Sequence, residues 1–458
     1  MNKDVKTFQR DDLLAHTTLG DLLGVRSGKV IQFKGVPYAE PPIGELRFSP
    51  PRAISSWKGV LDATQHKAIP VQAVSRLRNV VGDYSRPQSE DCLTLTITTP
   101  AVDRKSRPVV VFLHGGAYLA GAGSLDCYDS TNFSCEGNLI VVNVNYRLGA
   151  FGFLYYPELS DGNIGIYDMI AALKWVKNNI EAFGGNSENI TVMGQSAGAH
   201  AIMCFLTIPD VRCLFKRAIL QSTPIGAPPF SKISALENGN LFLHFLGLEK
   251  ESKKVDKLKQ ISAMQILEAM GKVARSKANI AQITPPVMPV YDELSSTDFF
   301  IEKASEGAVM AGVDIIIGTT KEEANAFLIG NSAIQSLDSK AINSMSNSIT
   351  DNMFRLPSLK FAESVTKSGA NVWVYQFDWA PSTSPLKACH CIELPCVFGN
   401  PQQWENAPML NNAEPEDFNR VSENIRAAWI NFIKTGNPTV NNSWQKYNGN
   451  DEKIMRFE

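Results

Sequence analysis

The chain has 458 residues, 44% of them hydrophobic and 20% charged, with a formal net charge of −2. That is ordinary globular composition with enough apolar material for a large core. The balanced charge excludes the electrostatic footprint of a nucleic-acid binder or of a protein drawn to an anionic membrane surface.

The first 24 residues carry charges throughout and lack the apolar stretch of a secretion signal. With no run of 18 apolar residues, neither a membrane span nor a membrane anchor is expected. The eight cysteines (Cys92, Cys127, Cys135, Cys204, Cys213, Cys389, Cys391 and Cys396) do not follow the spacing of a small disulfide scaffold. Free thiols in the cytoplasm are the expectation. Cys389-His390-Cys391 with Cys396 matches no common zinc spacing, so no metal is expected.

Leu19 to Val36 alternates and breaks at Gly24, Gly28 and Gly35, which predicts an edge hairpin. Residues 36–51, VPYAEPPIGELRFSPP, are too rich in proline for a helix and form a loop. A strand follows at CLTLTIT (92–98). The continuous apolar run VVVFLHGG (109–116) reads as a central strand buried on both faces, and LIVVNVNY (139–146) as another. Residues 164–183 carry apolar positions at helical spacing and stop at Gly184-Gly185. Further strands are ITVM (190–193), RAILQS (217–222), DIIIG (314–318) and VWVYQF (372–377). Strands alternating with helices predict an α/β class, with a mostly parallel central sheet flanked by helices. We expect one domain over 1–458, with helical, cap-like insertions at about 231–312 and 328–370.

In such sheets ligands sit beyond the carboxyl ends of the strands. Gly194, Ser196 and Gly198 fit G-x-S-x-G just past ITVM. This is the pattern of a nucleophile on a tight strand-to-helix turn, with the amide of Ala197 aimed at a developing oxyanion. A serine nucleophile needs a base and an acid behind it, and in this fold they follow it in the order acid, then histidine. His200, His244 and His390 come after Ser196. His200 lies on the elbow's own helix and His244 in an apolar helical run. His390 lies in a loop about a dozen residues past VWVYQF, where a base is needed. The acid belongs after DIIIG, where Glu322 and Glu323 are adjacent and the spacing does not choose between them. HGGAY (114–118) supplies the small-residue loop that an oxyanion hole requires.

Taken together, FKGVPYAEPPIGELRF, SEDCLTLTI, VFLHGGAYLAGAGS, NYRLGAFGFL, ITVMGQSAGAH, GTTKEEANAF and CHCIELPCVFGN resemble the type-B carboxylesterase family, the cholinesterase-like α/β-hydrolases, and within it the bacterial para-nitrobenzyl esterase type. The resemblance runs from about Gly24 to Trp444. It implies an α/β-hydrolase fold and a serine carboxylesterase for small uncharged esters, without cofactor or metal. It implies Ser196, Glu323 and His390 as the triad and the amides of Gly116, Ala117 and Ala197 as the oxyanion hole. Ser222 and Gln195 would support the triad from behind, and Arg47 and Glu90 would form a structural ion pair. Hydrolysis of amides, carbamates or lactones would use the same chemistry, and a non-catalytic binding relative would lack a triad residue. Gln195 stands where the family usually carries Glu, and Ala324 replaces the usual Gly. The segment before SED lacks the Trp that binds choline, so a cationic choline ester is not expected.

Overall fold

The computed structural model describes residues 10–277, 283–331, 334, 337–439 and 444–458. Residues 1–9 of the amino-terminal segment, and 278–282, 332, 333, 335 and 336 within the two expected insertions, lie outside them.

A ten-stranded sheet carries the fold. Its strands are β1 (Val25–Ser27), β2 (Val30–Pro37), β3 (Thr94–Thr99), β4 (Arg107–Leu113), β5 (Ile140–Val144), β6 (Gly185–Gln195), β7 (Arg217–Gln221), β8 (Asp314–Thr320), β9 (Val372–Phe377) and β10 (Met455–Phe457). The spatial order is β10-β9-β8-β7-β6-β4-β5-β3-β2-β1. From β5 across to β10 every pairing is parallel, and β1, β2 and β3 join antiparallel at the other end.

The continuous apolar runs have a direct cause. Side chains alternate between the faces of a strand, and here both faces are covered. Val109, Val111 and Leu113 join one core while Val110 and Phe112 join the other. Ile315 and Ile317 oppose Ile316 in the same way. The main helices are α1 (Thr131–Gly137), α2 (Ile164–Asn179), α3 (Ala197–Thr207), α4 (Lys232–Phe245), α5 (Ala263–Ser276), α6 (Thr297–Ala311), α7 (Leu356–Lys367) and α8 (Pro415–Thr435). Helices α2, α3, α6 and α7 build the first core, and α1 and α8 build the second. The glycine stop after residue 183 is a left-handed cap at Gly184.

The expected edge hairpin forms only in part. β1 and β2 pair at the edge of the large sheet. Asp21–Leu23 departs at Gly24 and joins a separate small sheet with Leu14–His16 and Val60–Asp62. Gly24 permits the departure because its Cα lies against the Phe33 ring, where a side chain would collide. The Pro-rich loop is ordered by Arg47, whose guanidinium grips both carboxylate oxygens of Glu90. Arg47 Nη1 also donates to the carbonyls of Leu258, Lys259 and Ile261 at 3.2, 3.0 and 2.6 Å. All eight cysteines are unpaired. Among the described residues no helix is long and apolar enough to cross a membrane.

Candidate active site

β6 ends at Gln195, and Ser196 turns the chain into α3 with φ 55° and ψ −120°. A non-glycine residue at positive φ is strained, and tight packing imposes it. A Cβ at Gly194 would strike the Gly198 backbone, and one at Gly198 would strike the Leu113 carbonyl. Both glycines of the motif are thus required by contact with backbone. The Ser196 amide is held by the Gln221 carbonyl at 2.9 Å.

The loop after β4 is strained as well, with positive φ at Gly116, Ala117 and Tyr118. Among the described residues the amides of Gly116, Ala117 and Ala197 have no acceptor within the chain. All three residues line the same cavity of about 210 Å³ as Ser196 and His390. Amide donors without an internal partner, beside a helix N-terminus, suit an anion that forms during reaction.

The adjacent glutamates separate cleanly. Glu323 is fully buried, and its Oε2 lies 2.5 Å from His390 Nδ1. Its Oε1 accepts from the Thr320 amide at 2.8 Å. Glu322 is half-buried and turns to the Ala388 amide at 3.2 Å, and burial raises its carboxyl above the usual range. The rings of Phe327 and Phe354 flank His390, with centroids 5.3 and 5.2 Å away. The Nε2 of His390 is held by Gln195 Nε2 at 3.1 Å rather than by serine. Among the described residues the Ser196 hydroxyl has no hydrogen-bond partner.

The other two histidines are occupied elsewhere. His200 is fully buried, and its Nε2 donates to the Ala227 carbonyl at 3.1 Å. Its Nδ1 therefore accepts from the Tyr118 hydroxyl, 2.8 Å away. Burial pushes the ring down to about 4, so it stays neutral. His244 lies at the surface and pairs with Glu249. Ser222 is buried with φ 49° and its amide on the Gly318 carbonyl, and among the described residues its hydroxyl has no partner.

Several lining groups escaped the sequence reading. Leu267, Met270 and Ala274 of α5 line the cavity, with Met288, Met353 and Phe354. Phe354 and Met353 sit on a π-helical turn, Thr350–Arg355, for which the sequence carries no signal. Glu393, three residues past His390, is a fully buried carboxyl that accepts from Gln221 Nε2 at 3.3 Å. Burial, and then the charge of Glu323, push it up to about 8. The E-L-P that follows His390 marked this residue without revealing its state. A larger cavity of about 610 Å³ adjoins the site and shares Arg76, Leu77, Ala274 and Phe327, but contains neither Ser196 nor His390. Among the described residues no group of three or more His, Cys, Asp or Glu is arranged to hold a metal ion.

The model of the Carboxylesterase family matches residues 11–343 and 329–458. The chain belongs to the carboxylesterase family. It is 35% identical to the para-nitrobenzyl esterase of Bacillus subtilis (strain 168), over 94% of this chain and 92% of that one. It is 31% identical to the phenmedipham hydrolase of Pseudarthrobacter oxydans, over 96% and 94%. A solved PNB esterase structure superposes with a TM-score of 0.86 at 32% identity, covering 98% of this chain and 96% of the other. This carboxylesterase has the α/β-hydrolase fold, and it is a serine-dependent carboxylic ester hydrolase.

Proposed function

We propose that Ser196 is the nucleophile, His390 the general base and Glu323 the residue that orients and charge-balances it, acting on small uncharged carboxylic esters. The observation that carries this reading is convergence: Ser196, His390 and the free amides of Gly116, Ala117 and Ala197 face one apolar cavity. Ser196 Oγ attacks the ester carbonyl and passes its proton to His390 Nε2. The carbonyl oxygen becomes an oxyanion held by the three amides. His390 then protonates the leaving alcohol, and the acyl-enzyme forms. Water releases the acid with the roles of the base repeated. Gln195 sits beside His390 Nε2, and Ser222 supports the site through its backbone, held on the Gly318 carbonyl. No metal or cofactor takes part.

The lining of Met270, Met288, Phe327 and Phe354 supports uncharged short- to medium-chain or aromatic esters. We read the chain as one domain in which α5 and the turn at 350–355 roof the site while α6 and α7 of the same insertions pack on the sheet. A cytoplasmic location is supported by the eight unpaired thiols.

The test is a p-nitrophenyl ester chain-length series with wild type and Ser196→Ala. Loss of hydrolysis and of fluorophosphonate labelling in the variant is the expected result. A folded wild type that neither hydrolyses any ester nor labels would overturn the reading.

A further inference from the structure

His390 Nε2 is the atom a serine nucleophile must reach, yet another group holds it. Gln195 Nε2 lies 3.1 Å from it and 3.4 Å from Cys391 Sγ. Gln195 is only 1% exposed, so this amide is shielded from bulk water. Its orientation follows from the ring. Glu323 accepts from Nδ1, so in the neutral imidazole Nδ1 carries the hydrogen and Nε2 is an acceptor. Only the NH2 end of Gln195 satisfies it. The amide oxygen lies against Gly115, where any side chain would collide with it.

We propose that Gln195 is a positioning residue for the base: its amide donates to His390 Nε2 in the resting enzyme, holds the ring with Nδ1–H aimed at Glu323, and yields Nε2 to the Ser196 hydroxyl when substrate arrives. This rests on the triad reading above. The exchange leaves no buried donor stranded, because the amide keeps Cys391 Sγ as an acceptor. Its second consequence is electrostatic. A protonated ring would point N–H at N–H, so the amide opposes protonation of the free enzyme. A carboxylate in the same place would accept from that N–H and favour it.

The titratable groups around the ring are Glu323 and Glu322 on the turn after β8, Glu393, the thiols of Cys389 and Cys391, and Tyr375 on β9. Burial raises both thiols and the phenol, which stay neutral. Glu393, pushed up to about 8, is protonated at neutral pH. Glu322 faces the Ala388 amide instead. Replacing Gln195 by Glu therefore adds one acidic group beside a ring whose single close carboxylate partner among the described residues is Glu323.

The experiment is the pH dependence of kcat/KM for a p-nitrophenyl ester, measured on wild type, Gln195→Glu and Gln195→Met. Active sites are counted with a fluorophosphonate. The acid-side half-activity point should rise by about one pH unit or more in Gln195→Glu. It should rise by about half a unit in Gln195→Met, which removes the donor without adding charge. If Gln195→Glu does not fold, Gln195→Met decides alone. An acid limb that stays put, or moves down, overturns the proposal. Ser196→Ala run alongside separates the two readings. Activity surviving there overturns the triad, whereas an inert Ser196→Ala with an unmoved acid limb overturns only the role of Gln195.

Discussion

The cavity has two walls of opposite construction. Its floor is the elbow at Ser196, the Gly115–Tyr118 loop and the His390 loop. These are fixed by backbone collisions, hydrogen bonds and positive-φ residues at Ala117, Tyr118, Ser196 and Cys391. Its roof is Leu267, Met270, Met288, Met353 and Phe354, which meet the cavity through apolar contact. A floor of directed interactions tolerates little displacement, because catalytic geometry is sensitive to shifts of about 1 Å. A roof of flexible thioethers and rings can repack around different substrates. Changes to the floor should therefore alter kcat, and changes to the roof should alter which ester is preferred.

The largest expected break is Ser196→Ala, which should lower turnover by about 10⁶-fold while leaving the thermal transition in place. Hydrolysis of a p-nitrophenyl ester per mole of folded protein, with a thermal melt alongside, would measure it. Glu323→Gln keeps the shape of the acid but removes its charge, and should cost about 10⁴-fold in kcat with little change in KM. Gly116→Ala drives a Cβ into the Ala120 carbonyl at φ 116°. Displacing that amide should cost roughly 10²–10³-fold in kcat. If any of these three changed KM alone, the distinction between floor and roof would fail.

Met270→Ala tests the other wall. It should move the optimum of the ester series toward longer acyl chains and change kcat/KM by about tenfold between neighbouring chain lengths. A uniform loss across the series would place Met270 with the floor.

The smallest effect belongs to Glu393, beneath the floor. Its carboxyl holds a proton up to about pH 8 in the folded chain, whereas an unfolded glutamate loses it near ~4.3. Between those values the native state binds the extra proton, so stability falls as pH rises. Glu393→Gln removes that dependence, and Tm measured from pH 5 to 9 should decline less steeply than in wild type. The buried histidines tilt the curve the other way. His114 and His200 sit at about 4, so the unfolded chain gains protons first and stability falls as pH drops from about 6.5 toward 4. A parallel Tm profile for Glu393→Gln would show that the folded chain ionises this residue.

The floor was far more legible in the sequence than the roof, and the reason is physical. Backbone collisions demand glycine, so Gly194, Gly198 and the Gly115-Gly116 pair leave marks at fixed positions. A strand buried on both faces demands an unbroken apolar run, so β4, β5 and β8 were readable. The apolar pattern of residues 263–276 could predict a helix, but not which side of it would meet the cavity. The π-turn that aims Phe354 depends on tertiary contacts such as the Ala324 amide on Thr350 Oγ1, at 3.1 Å. Gln195 could be noticed as unusual, but its bond to a ring 195 residues away required coordinates. The hairpin expected over Leu19 to Val36 forms only from Val25 onward, because the alternation of Asp21–Leu23 suits either sheet.

The grip of Arg47 has a consequence for how such an enzyme changes its diet. Its three carbonyl partners lie at the end of one cap helix and just before Ser262, the residue that caps α5. The guanidinium is thus a pivot pin for the helix that carries Leu267, Met270 and Ala274. Selection for new substrates has a target that touches no substrate: a change at Arg47 would free the entry to the roof helix while Ser196, Glu323 and His390 keep their own contacts.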